Sequence, residues 1–195
     1  MEGVADTLRE LGNIGSGNAA ASLEDWLGEP INISMTDALL LPAEDVLHRL
    51  DGTGSPFLGI HARVTGGLEG HIVYLLGIEE VKRILSILVG GAEEEGLLTD
   101  CQASALSETG NILFSSYVNA LYEMLDVEIN ITPPRCSHDP GVLLGGAGSG
   151  CCSRRPYVML VETLLINEAA LLSGRLLFFT WEEAVAGILE KAERR

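Results

Sequence analysis

Positive charge is what this 195-residue chain has least of: 12 Lys and Arg stand against 28 Asp and Glu, a formal net charge of −16 at pH 7. No basic surface is left to neutralise a phosphate backbone, which excludes nucleic-acid binding, and an anionic membrane surface is disfavoured for the same reason. A long apolar run is also missing, because the richest stretch, around Tyr157 to Phe179, is broken by Glu162, Glu168 and Arg175. The opening MEGVADTLRE lacks the basic and apolar regions of a signal peptide, so the expected location is cytoplasmic. Cys101, Cys136, Cys151 and Cys152 form no CxxC pair, and His48, His61, His71 and His138 show no ligand spacing on a helix face. Cys136 and His138 near the Cys151/Cys152 doublet are the one place where a metal site could be assembled; buried or loop thiols in a reducing compartment are the preferred reading. No metal or cofactor of the chain's own is expected.

What the chain does have is a polar motif used twice. Ser104, Glu108 and Asn111 are spaced four and three apart, so a helix brings them onto one face, while Leu106, Leu113, Tyr117 and Leu121 fall on the opposite, inward face. The same order recurs 98 residues earlier as Asp6, Glu10 and Asn13, with ELGN at 10 to 13 echoing ETGN at 108 to 111. Gly12 and Gly110 lie inward on the same wheel, which points to close helix packing. The run GNIGSG at 12 to 17 lacks the Lys-Ser/Thr of a nucleotide-binding loop and follows no strand, so it is read as helix, with Gly17 and its counterpart Ser115 leaving room on the polar face.

An Asp or Ser, a Glu four residues on, an Asn three further and a Pro twenty-three after the Asn resembles the signature of the CheC/CheX/FliY phosphatases, which act on the phosphorylated chemotaxis regulator CheY. Ser104, Glu108, Asn111 and Pro134 fit it completely; Asp6, Glu10 and Asn13 fit with Thr36 at the proline position. The resemblance, most like CheC, spans the chain because each copy leads a similar half. It implies hydrolysis of the CheY aspartyl phosphate, with Mg2+ expected on CheY, and CheD as a possible further partner. Two motifs in one chain imply a CheC-like monomer.

The chemistry can be reasoned from the residues. Hydrolysis of an aspartyl phosphate needs a water held in line, and the regulator itself supplies a metal and a lysine for the phosphoryl charge, so a phosphatase can contribute positioning alone. An Asn amide both accepts from and donates to water, which makes Asn111 and Asn13 the candidates to orient the nucleophile. Glu108 and Glu10 are assigned to pair with the regulator's lysine and fix the register. The bland reading of such residues is a solvated helix face, and repetition with the same neighbouring glycine argues against it. The alternative function is a non-catalytic or weakly catalytic module that binds phosphorylated CheY or CheD. Of the two sites, Glu108/Asn111 is expected to be the stronger, because the first helix carries Gly12, Gly15 and Gly17 and its copy lacks the proline.

Periodicity predicts a helix over 4–27, a half-buried strand with Ile31, Ile33 and Met35 on one side, and a short helix start within 39–50. A hairpin over 57–76 turning at Thr65 to Gly67, a helix over 78–89 stopped by glycines and an acidic linker at 93–96 complete the first half. The second repeats it: helix 100–125, strand 127–132, a glycine-rich loop at 145–150, a strand pair over 157–166 and 171–180, and a closing helix over 181–192. The fold class is α+β, a pseudo-two-fold pair of helix-strand-strand-strand-helix units sharing an antiparallel sheet with both motif helices outward. The whole is read as one domain of two homologous halves, about 1–96 and 97–195.

Overall fold

The computed structural model describes residues 2–42, 45–46, 56–91, 98–143, 157–167 and 172–181. Their helices are α1 (Glu2–Leu27), α2 (Ile78–Val89), α3 (Asp100–Leu125) and the short α4 (Pro140–Leu143). The strands are β1 (Asn32–Pro42), β2 (Phe57–Gly66), β3 (Gly70–Gly77), β4 (Ile129–Ile131), β5 (Arg135–Ser137), β6 (Tyr157–Asn167) and β7 (Leu172–Trp181). The predicted acidic linker, glycine-rich loop and closing helix lie outside the described residues, apart from Trp181, which ends β7.

All strand pairs are antiparallel, in the order β1-β6-β7-β3-β2-β4, with β5 also on β2. This order maps onto itself when the halves exchange: β3 and β7 meet at the centre, and each half's leading strand pairs with the other half's hairpin. Neither half keeps its own sheet. Each helix-strand segment is therefore held by residues of the other half, and the sheet is the shared one the pattern predicts.

Hairpin β2–β3 turns where Gly66 takes φ 106°, a conformation that favours glycine, and α2 ends at Gly90 in the left-handed region. A capping box at Thr99 and Gln102 starts α3: Gln102 N donates to Thr99 Oγ1 at 3.3 Å and Thr99 N donates to Gln102 Oε1 at 3.0 Å. The inner sheet face, with Ile60, Val64, Ile72, Val161 and Phe178, packs against Leu11, Leu23, Ile84, Leu106, Leu113 and Tyr117 of α1, α2 and α3. The other face buries a second cluster around Val73, Leu75, Leu177 and Phe179, into which Leu143 of α4 packs.

Three expectations change. Ile33 and Met35 are both exposed: the register shift between them moves Met35 to the other face, beside Leu164, and Asn32 to Met35 at the start of edge strand β1 are exposed throughout. The segment Leu39–Leu41 continues β1 to Pro42 rather than opening a helix; helix is described there only at 45–46. The strand predicted over 127–132 shortens to β4, and β5 follows it after the two prolines.

Candidate functional site

Glu108 and Asn111 stand exposed on the outer face of α3, with Ser104 exposed one turn before Glu108. They share the wall of an open groove of about 770 Å³ with Ser107, Asp100 and the Ile131–Pro134 segment that leads out of β4. The opposite wheel is buried as predicted, Leu106 and Leu113 completely. Gly110, between the two motif residues, lies against the sheet: a Cβ there would stand 2.4 Å from Ile60 Cγ2 and 3.2 Å from Pro134 Cβ. The absence of a side chain at Gly110 thus sets how deep α3 sits, and Pro134 fixes the strand exit against it.

The N-terminal motif is built the same way. Asp6, Glu10 and Asn13 are exposed on α1, and Gly12 lies against β6, where a Cβ would stand 2.4 Å from Val161 Cγ1 and 3.2 Å from Thr36 Cγ2. Thr36 therefore occupies the place of Pro134 in space as well as in sequence. Its hydroxyl lies 3.1 Å from Thr163 Oγ1, which is 2.7 Å from the buried Ser16 hydroxyl. Arg9 donates from Nη1 to Asp6 Oδ1 at 2.9 Å and from Nη2 to Asp37 Oδ1 at 3.4 Å, tying the motif's first carboxylate to β1.

The two motif helices pack side by side in opposite directions. Gly15 receives the Tyr117 ring, whose Cε2 would be 2.8 Å from a Cβ there, and Trp26 Nε1 donates to Thr109 Oγ1 at 3.1 Å. Ser22 and Ser116 meet at 2.6 Å between them. Glu108 thus lies near the level of Trp26, sixteen residues along α1 from Glu10, and the two Glu residues are separated by about 24 Å along the helix axes. The two motifs thus form two separate surfaces.

Three neighbours of the sites escaped the reading of the motifs. Ser107 follows from helical spacing with Ser104 and Asn111; Arg9 is its counterpart 98 residues earlier; Trp26, part-exposed beside the second site, carried no sequence signal. Ser107 also hydrogen-bonds Cys136, whose thiol burial pushes up in pKa, the Ser107 contact working the other way. Gly12 to Gly17 are helical within α1, so the glycine-rich stretch forms no phosphate loop. Among the described residues no group of three or more His, Cys, Asp or Glu could hold a metal, and no helix is long and apolar enough to cross a membrane.

Comparison with known proteins places the same segments together. The sequence profile of the CheC-like family matches residues 4–36 and 102–138, the two motif helices with the strands that follow them. The chain is 31% identical over 168 residues to the CheY-P phosphatase CheC of Bacillus subtilis, covering 84% of this chain and 80% of that protein. It is 34% identical over 71 residues, 36% of this chain and 44% of the relative, to the CheY-P phosphatase CheX of Thermotoga maritima. Among solved structures, Thermotoga maritima FliY superposes with a TM-score of 0.76 at 25% identity, covering 100% of this chain and 98% of that one. The fold is shared with Borrelia burgdorferi CheX, solved in complex with CheY, BeF3 and Mg2+, at a TM-score of 0.55 and 19% identity over 88% and 95% of the two chains.

Proposed function

The chain belongs to the CheC-like family, and from that premise we propose that it is a phosphatase of phosphorylated CheY with one site on each motif helix. The observation that carries the proposal is the repetition: two Glu/Asn pairs, each exposed on an outer helix face and each backed by a glycine pressed onto the sheet. The names of the Bacillus subtilis and Thermotoga maritima relatives support the same substrate. The proposal takes the chain as one domain of two homologous halves, acting as a cytoplasmic monomer.

In this mechanism Glu108 or Glu10 pairs with a lysine of the regulator and sets the helix over the phosphoryl group. Asn111 or Asn13 then holds a water through its amide, in line with the scissile bond. The water oxygen attacks phosphorus, the bond from phosphorus to the aspartyl oxygen breaks, and orthophosphate leaves with the carboxylate regenerated. Mg2+ belongs to the regulator's own acceptor site, and this chain needs no cofactor. Neither Glu acts as a base.

The test is the lifetime of acetyl-phosphate-charged CheY with and without the protein. A shortened lifetime supports the phosphatase. An unchanged lifetime with binding retained would turn the reading to a module that captures phosphorylated CheY or CheD.

A further inference from the structure

We propose that Arg9 is a specificity residue of the N-terminal site, an internal cation that competes with the regulator's lysine for the carboxylates around Glu10. The inference rests on the phosphatase reading and adds a reason for the two sites to differ.

Arg9 bridges Asp6 on its own helix and Asp37 on β1, one guanidinium nitrogen to each carboxylate, at 2.9 and 3.4 Å. Asp37 is itself oriented by the Ala38 backbone N–H, which donates to Oδ1 at 2.8 Å. Asp6 belongs to the motif, so the bridge occupies the surface that a docking lysine would approach, one residue from Glu10. The other site has Ser104 where Asp6 stands and Ser107 where Arg9 stands. Among the described residues no cation lines its groove, and Glu108 faces an opening bounded by serines, prolines and Asp100. One site is thus already partnered and the other is open.

The bridge can be displaced. Arg9 and both carboxylates are well exposed, with side-chain exposures of 43% for Arg9, 72% for Asp6 and 39% for Asp37. Exposed pairs of this kind shift an equilibrium by roughly two- to fivefold. That is too little to close the site and enough to rank it second, and the effect should shrink as salt screens both competitors.

The experiment isolates each site in the intact chain. In the Glu108→Ala/Asn111→Ala background, Arg9→Ser should lower the KM for phosphorylated CheY by roughly two- to fivefold at low salt with kcat unchanged. Arg9→Lys, which keeps the charge, should leave KM as it was. In the Glu10→Ala/Asn13→Ala background, Arg9→Ser should change neither constant. An unchanged or raised KM in the first background, or equal effects of Arg9→Lys and Arg9→Ser, would overturn the proposal. Calorimetric binding of CheY charged with BeF3 and Mg2+ carries the same comparison without turnover. A wild-type protein that binds but does not hydrolyse defeats the phosphatase reading alone, while failure of Arg9→Ser to tighten binding at the N-terminal site defeats the Arg9 proposal alone.

Discussion

Beneath the two motif helices the same place is filled in two ways. Under α3, Gly110 meets Ile60, Pro134 and the edge of the Phe114 ring, an apolar floor with a rigid proline in it. Under α1, Gly12 meets Val161 and Thr36, and a chain of hydroxyls runs from Thr36 through Thr163 to the buried Ser16. Ser16 stands where the second copy has Phe114. What both copies keep is the contact of glycine with a β-branched side chain on the neighbouring strand, at 2.4 Å to the would-be Cβ in each. The depth of the helix is therefore the shared requirement. The floor around it is free to be polar or apolar, provided that each buried hydroxyl has a partner.

The most direct way to break this comparison is to remove the proposed site residues, first from both helices together and then from one helix at a time. Asn13→Ala with Asn111→Ala should abolish stimulated dephosphorylation, with circular dichroism unchanged because both amides are exposed. Glu108→Ala with Asn111→Ala should remove most of the activity, leaving what the N-terminal site supplies. Glu10→Ala with Asn13→Ala should remove less. Phosphate lifetimes of the regulator decide, and a larger loss from the N-terminal pair would reverse the ranking of the sites.

A second cut goes to the glycines. Placing a methyl group at Gly110 or Gly12 meets a packed side chain at 2.4 Å; overpacking of this kind costs about 1–3 kcal/mol, against about 1 kcal/mol gained in helix propensity. Gly110→Ala should be the worse of the two. Its second neighbour is Pro134, whose ring cannot rotate away, whereas Thr36 can turn about χ1. Ile60→Leu removes the offending Cγ2 and should recover part of the stability of Gly110→Ala in urea unfolding. Lack of any recovery would mean that the proline, not Ile60, sets the depth of α3.

The outer face of the sheet offers a third contrast. The second half carries a partly buried ion pair there, with Arg175 Nε donating to Glu162 Oε1 at 2.7 Å; the first half puts His71 and His61 in the corresponding places. Among the described residues His71 Nδ1 and His61 Nε2 have no hydrogen-bond partner. Burial, then Arg63 and then His61, push the His71 pKa down to about 4; burial and Arg135 lower that of His61. The native state therefore binds a proton on these imidazoles less tightly than the unfolded chain does. The stability contributed by the neutral imidazoles is complete above about pH 6.5 and is lost as pH falls from there towards 4, by roughly 1 kcal/mol per pH unit for His71. Unfolding midpoints at pH 7.5, 6 and 5 should fall more steeply for wild type than for His71→Leu. Parallel curves would remove His71 as the source.

Periodicity made both motif helices legible, because their inward and outward residues differ in polarity over seven turns, and α3 runs over the predicted residues. The outward place of Glu10, Asn13, Glu108 and Asn111 followed from the same wheel. The exchange of strands between halves could not be read, since hairpin signals say which strands are antiparallel and not whose strand lies beside them. The burial of Ile33 and Met35 was misjudged because alternation shows neither the bulge that moves Met35 to the other face nor the exposure of both faces where edge strand β1 begins. Gly15 was legible only as a weak point of α1, while the structure gives it a use: it admits Tyr117, and the small residues Gly15 and Ala19 of α1 complement Leu113 and Tyr117 at the same positions of α3.

That reassignment leaves Gly17 as the residue that separates two explanations of a weaker first site. Among the described residues nothing beyond the helix's own adjoining backbone lies within 4 Å of where its Cβ would be, and its counterpart Ser115 already carries a larger side chain on the same face. Gly17→Ala should therefore stabilise α1 by about 0.5–1 kcal/mol without obstructing a docking protein, raising Tm by roughly 1–4 °C. If looseness of α1 is what weakens the first site, this variant in the Glu108→Ala/Asn111→Ala background should turn over faster, because the Asn13 amide would be held more firmly. If the Arg9 bridge is the cause, the melting temperature should rise while KM and kcat stay where they were. The packing of Gly12 and Gly15 favours the second result: α1 is already pinned at these two glycines on either side of Asn13, and stiffening Gly17 adds stability without moving Asn13.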